Sequence, residues 1–183
     1  PTLHAGARRP PDAGTIAWMN ALGKAASRLP GLEKEALHWL TLPAREKSDA
    51  ELISAMKLVV RQGYGVAAPA LLDAARNRKS DAVRVAVVQS LAQFQQPQVG
   101  SDLLSLWPKA SSRVRAEIMA SLVTRADRIA ALLTALEKKV VAKADISAST
   151  LNTLRVQKDG AFQSRVTKLF GAPVKPKTRQ QVI

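Results

Sequence analysis

The chain has no cysteine among its 183 residues. Disulfides, thiolate metal sites, covalent haem attachment and cysteine nucleophiles are therefore excluded from it, while its redox compartment stays open. Aromatic residues make up only 4%, too few for a core built on large rings. No apolar run approaches the roughly 18 residues that a membrane-spanning helix requires. No N-terminal segment shows the charged, apolar and small-residue order of a signal peptide. Histidine occurs only at His4 and His38, which leaves little from which to assemble a clustered metal site. Acidic residues are also in deficit, with 14 Asp and Glu against 28 Lys and Arg.

What is present is alanine, leucine and valine, within an apolar fraction of 46%. That fraction and the length suit one globular domain or repeat array with a substantial core. Alanine favours helix and lets helices approach closely, so the composition points to packed helices. The formal charge of +14 favours nucleic acid, an anionic membrane or an acidic protein as a partner. The cations are nevertheless scattered from Arg8 to Arg179. Their densest groups are short: Arg76 to Lys79, Arg113 to Arg115, Lys138-Lys139, and the Lys175, Lys177 and Arg179 tail. No long basic arm is present, and a solvated basic surface accounts for such scatter as well as a binding face does.

Along the chain, residues 1–12 carry Arg8-Arg9-Pro10-Pro11 without periodicity and read as an extended lead-in. Ile16, Met19, Leu22, Ala26 and Leu29 have helical spacing up to Pro30-Gly31. A second helix is predicted from Leu32 to Leu42, before Pro43. Ser48-Asp49-Ala50-Glu51 has the spacing of a capping box. It should open a helix with a stripe of Leu52, Met56, Val59 and Val60. Gly63-Tyr64-Gly65 reads as the turn that ends it.

The next hundred or so residues repeat. Val83 to Val114, Arg84 to Arg115 and Leu91 to Leu122 are each separated by 31 positions. The double leucine Leu71-Leu72 recurs 32 residues later at Leu103-Leu104, and again 29 residues on at Leu132-Leu133. A period of this length means one helix pair per repeat, stacked on its neighbours. Val, an apolar residue four on and Leu eight on lie along one helical face. The third repeat is stretched: Val140 to Ile146 reads as a connection, and Ser147 opens a short helix through Leu151, Leu154 and Val156. Asp159-Gly160 starts a last helix with Phe162, Val166 and Phe170 on one stripe. Gly171 stands at its C-cap, and residues 172–183 read as a basic linker.

Asp81-Ala82-Val83-Arg84 and the related Arg113-Val114-Arg115 resemble the start of the second helix of HEAT repeats. The likeness covers residues 66–125 best. It implies an all-α, HEAT/armadillo-like α-α superhelix, a right-handed solenoid of antiparallel helix pairs, over residues 13–171. In the second copy Ser112 stands in place of the aspartate, so an aspartate ladder is not expected to run the full stack. Leu151 to Leu154, then Lys158 to Gly171, the basic linker and Arg179 to Ile183 are similar to another context. This is the region before a C-terminal c-type cytochrome module in exported dehydrogenase-like proteins of planctomycete-type bacteria. The resemblance implies a spacer between a propeller and a haem domain, in an exported or periplasmic parent. The start at Pro1-Thr2 and the apolar Val182-Ile183 after the linker fit the same expectation of a segment from a longer protein.

Catalytic motifs are sparse. Glu35 and His38 supply one Glu-x-x-His, where a di-iron bundle needs two. No nucleophile elbow or phosphate-binding loop occurs. Alkylpurine DNA glycosylases are HEAT-like and basic, and use Trp, Tyr and Asp. Trp18, Trp39, Trp107 and Tyr64 with Asp73 or Asp102 supply the residue types, although packing explains each Trp equally well. The expectation is a non-catalytic scaffold or spacer with no cofactor of its own. Its partners are neighbouring domains of the same chain or another protein, and Arg84 and Arg115 form the candidate interaction face. The alternative is a basic nucleic-acid-binding module of the glycosylase type.

Overall fold

The computed structural model describes residues 32–42 and 47–172. The expected lead-in over 1–12, the helix from Ala13 to Leu29, and all of the 172–183 linker except Ala172 lie outside the described residues. Among the described residues the regular structure is entirely helical. Its order is α1 (Leu32–Thr41), α2 (Asp49–Val59), α3 (Tyr64–Asn77), α4 (Asp81–Ala92), α5 (Val99–Leu106), α6 (Ser112–Leu122), α7 (Ala126–Glu137), α8 (Ala148–Arg155) and α9 (Gly160–Phe170).

Side-chain caps start five of these helices. Ser48, Ser80, Ser111 and Ser147 each accept the backbone N–H three residues on, and Asp159 accepts from Ala161 and Phe162. The expected capping box is complete: Glu51 answers Ser48 by accepting its backbone N–H at 2.8 Å. That hydrogen bond, with the Ser48 hydroxyl and Lys47, holds the Glu51 carboxyl below its ordinary pKa. Gly63 and Gly171 adopt positive φ, 83° and 79°, at helix boundaries where a Cβ would be strained. The Gly63-Tyr64-Gly65 turn is narrower than its sequence suggests. Gly63 alone makes the break, and Tyr64 and Gly65 already belong to α3, which carries Pro69 in its interior. The helix from Ser147 also stops short of its expected stripe, because Val156 lies beyond α8 and is 74% exposed.

The helices form two layers. The odd-numbered ones contact one another in chain order, α1 on α3, α3 on α5, α5 on α7 and α7 on α9. The even-numbered layer runs α2 on α4 and α4 on α6, while α8 does not continue it to the same extent. One hydrophobic core threads between the layers from Ala36 to Val166. The repeated stripe positions are its centre: Leu71, Leu103 and Leu132 in the odd layer, and Val83, Val87, Leu91, Ile118 and Leu122 in the even layer, are all fully enclosed. Each such Leu or Ile contributes about 1.5–3 kcal/mol relative to exposure.

Candidate functional site

The N-termini of the even-numbered helices are tied together by hydroxyls. Ser80 caps α4 and donates to Asp49 of α2 at 2.5 Å. Ser111 caps α6 and donates to Asp81 of α4 at 2.6 Å. Each aspartate is the first residue of its helix, so its charge also suits the helix dipole. The pattern ends at Ser112, where no carboxylate is available. Ser147, the next cap, bonds within its own first turn to Ser149 at 2.8 Å and Thr150 at 3.0 Å. The spacing explains the break. Caps recur after 32 and 31 residues, then after 36, and the longer interval carries the Lys143–Asp145 turn.

The two arginines expected to form an interaction face lie in equivalent places on α4 and α6, both half-buried, and do different work. Arg84 is spent on carbonyls at helix ends. Its Nε donates to Ala75 and Arg78 at 3.1 and 2.9 Å, and its Nη1 donates to Lys109 at 3.4 Å. Arg115 donates only Nε in the same manner, to Trp107 at 3.3 Å, with its guanidinium 5.2 Å from the Trp107 ring centre. Its Nη1 makes a long ion pair with Asp145 at 3.9 Å, too far for a hydrogen bond. Asp145 is oriented by its own turn, through the Ala142 N–H.

Arg115 faces a cleft of about 580 Å³ between α6 and α8. Its walls include Ser112, Met119 and Val123 of and beside α6, and Ser147, Thr150 and Thr153 of and beside α8, together with Trp107 and Asp145. This is where the even layer parts after the stretched third repeat.

A second groove, of about 430 Å³, lies on the odd layer and includes Tyr64, Asp73, Arg76 and Asp102. The structure thus unites three residues of the glycosylase alternative. Tyr64 is bound to Asp102 at 2.5 Å and set edge-on to Phe94 at 5.6 Å. Burial, together with the hydrogen bond to Asp102 and its charge, pushes the phenol up to about 12. Trp39 and Trp107 are not part of this groove. Both are buried, and Trp39 donates to Glu35 at 2.9 Å. His38 is exposed, and its backbone carbonyl accepts from Thr41. Trp18 and His4 lie outside the described residues. Among the described residues no three His, Asp or Glu side chains cluster as metal ligands would.

Sequence reasoning missed Arg128, which is 2% exposed. From α7 it donates to Ala92 and Phe94 at 2.9 and 2.7 Å, closing the C-terminus of α4. Burial, more than the neighbouring Arg125, lowers its pKa. Nothing in the linear pattern separates it from a surface arginine. No family model matches the chain, and no curated protein or solved structure matches it.

Proposed function

We propose that the chain is a non-catalytic helical-repeat scaffold or spacer of HEAT-like, right-handed superhelical form. It would hold neighbouring domains of the same chain, or another protein, in fixed register. The observation that carries this reading is the pair of Ser–Asp rungs, Ser80 to Asp49 and Ser111 to Asp81, which tie successive repeats. Such rungs add orientation to the non-directional burial of the stripes, which is what a rigid spacer needs. Spin labels on cysteines placed at the exposed Lys34 of α1 and Ser164 of α9 test it. The cysteine-free background makes both labels unique. A single narrow distance distribution is expected, and a broad one sinks the spacer. The larger context implied by the resemblance is an exported or membrane-bound dehydrogenase with a cytochrome c module. It requires a Cys-x-x-Cys-His motif in the coding sequence soon after Ile183, and its absence there would remove that context.

The second reading, a basic nucleic-acid-binding module of the glycosylase type, has in its favour the groove that unites Tyr64, Asp73 and Asp102 beside Arg76. Its test is a salt titration with duplex DNA. Affinity that falls steeply with salt and is lost in Arg76→Gln would support it. No binding at low salt would dismiss it.

A further inference from the structure

We propose that the cleft between α6 and α8 binds a carboxylate of an acidic peptide, with Arg115 as the cation that receives it. The proposal rests on the scaffold reading and names the chemistry of the partner. The internal repeat supplies the argument. At two junctions of the even layer an aspartate at the first helical position meets a serine from the next repeat, Asp49 with Ser80 and Asp81 with Ser111. At the third junction the equivalent position is Ser112, and the next cap, Ser147, satisfies itself locally. The carboxylate that completes each earlier rung is absent here, and the layer has parted into a cleft of about 580 Å³.

Arg115 is the second observation, independent of the ladder. Arg84, at the equivalent position, uses both Nε and Nη1 on backbone carbonyls. Arg165 makes a bidentate pair with Glu137, both distances 2.8 Å. Arg115 spends Nε alone, on Trp107, which fixes the guanidinium over the ring. Its terminal nitrogens make no hydrogen bond, only the long ion pair of Nη1 with Asp145, and so present the planar fork that matches a carboxylate. The opposing acid, Asp145, is held by the Ala142 N–H at 3.3 Å and stays 3.9 Å from Arg115. The chain's +14 charge raises encounter with an acidic partner.

The test is fluorescence anisotropy of a fluorescein-labelled, C-terminally amidated octapeptide of alternating Asp and Gly, titrated with the full chain. Ser112→Asp places in the cleft the carboxylate that the other junctions have. It should weaken binding about tenfold or more, and Arg115→Met and Arg115→Lys should also weaken it. Ser101→Asp makes the same charge change at an exposed position on α5 outside the cleft, and should alter binding less than about twofold. Ser112→Asp should in addition raise the thermal midpoint, because an acid at the first position of α6 suits the helix dipole and adds a second negative charge near Arg115. If Arg115→Met proves unfolded by circular dichroism, Ser112→Asp and Arg115→Lys still decide. Equal weakening by Ser112→Asp and Ser101→Asp, or no saturable binding, overturns the proposal. So does tighter binding of duplex DNA that is indifferent to Arg115. A rigid spacer that fails to bind the peptide would overturn this inference alone, whereas a broad label distribution would strike the scaffold reading itself.

Discussion

Arginine has two kinds of employment here, and they divide by what the guanidinium meets. Arg78, Arg84, Arg115, Arg125, Arg128 and Arg155 each donate to at least one backbone carbonyl, most of them where a helix ends and its acceptors lack intrahelical partners. Part of the positive charge therefore serves as C-capping between elements. Arg128→Met keeps volume but strands the Ala92 and Phe94 carbonyls. It should lower unfolding free energy by about 1–3 kcal/mol in urea denaturation, with Arg128→Lys failing to restore it. Tyr64 is the chain's one tyrosine, so tyrosinate absorbance reports it alone. Its midpoint should lie at about 12 and fall towards the ordinary value of 10.0 in Asp102→Asn, where the hydrogen bond to a charged partner is lost. A folded-state pKa raised in this way contributes stability that is complete below pH about 10 and is lost as pH rises through the folded value. These roles were not legible in the sequence, because a side chain that reaches a carbonyl 36 positions away, as Arg78 does with Leu42, leaves no local signature.

Helix starts were legible, because a cap is a local event. Ser48 with Glu51, Ser147 and Asp159 initiate their helices as their spacing predicts, and Gly171 ends the last one. What the spacing did not show is that two further capping serines, Ser80 and Ser111, also face the preceding even-numbered helix. Ser80 both caps α4 and donates to Asp49, so Ser80→Ala removes two interactions at once. A double-mutant cycle of Ser80→Ala with Asp49→Asn should give a coupling of about 0.5–1.5 kcal/mol. A coupling near zero would mean that the rung is only a cap. Gly100 marks another contact between elements. A Cβ there would stand 2.9 Å from the Ala131 Cβ, so α5 and α7 approach at a glycine. Gly100→Ala gains helix propensity of about 1 kcal/mol but forces the two helices apart. It should be net destabilising in thermal melts, whereas the same change at the open Gly65 should be neutral or stabilising.

Among the described helices, one core joins α1 to α9. Unfolding of the described helices should therefore be cooperative. In a Trp18→Phe background, far-UV circular dichroism and the fluorescence of Trp39 and Trp107 should report the same urea midpoint, and separated midpoints would show that the repeats melt independently. The stack also shows where regularity ends: after Glu137 the longer connection displaces α8, and the cleft beside Arg115 follows from that displacement. By itself the sequence determined the helical class and the helix starts at Ser48, Ser147 and Asp159, because each depends on residues within a few turns of one another. Only the tertiary structure decided that Arg84 is consumed by carbonyls while Arg115 stands over Trp107 in a long ion pair with Asp145, and that Tyr64 meets Asp102 across two helices. Those outcomes depend on how far apart stacked helices sit, a distance set by side-chain volume across the whole core.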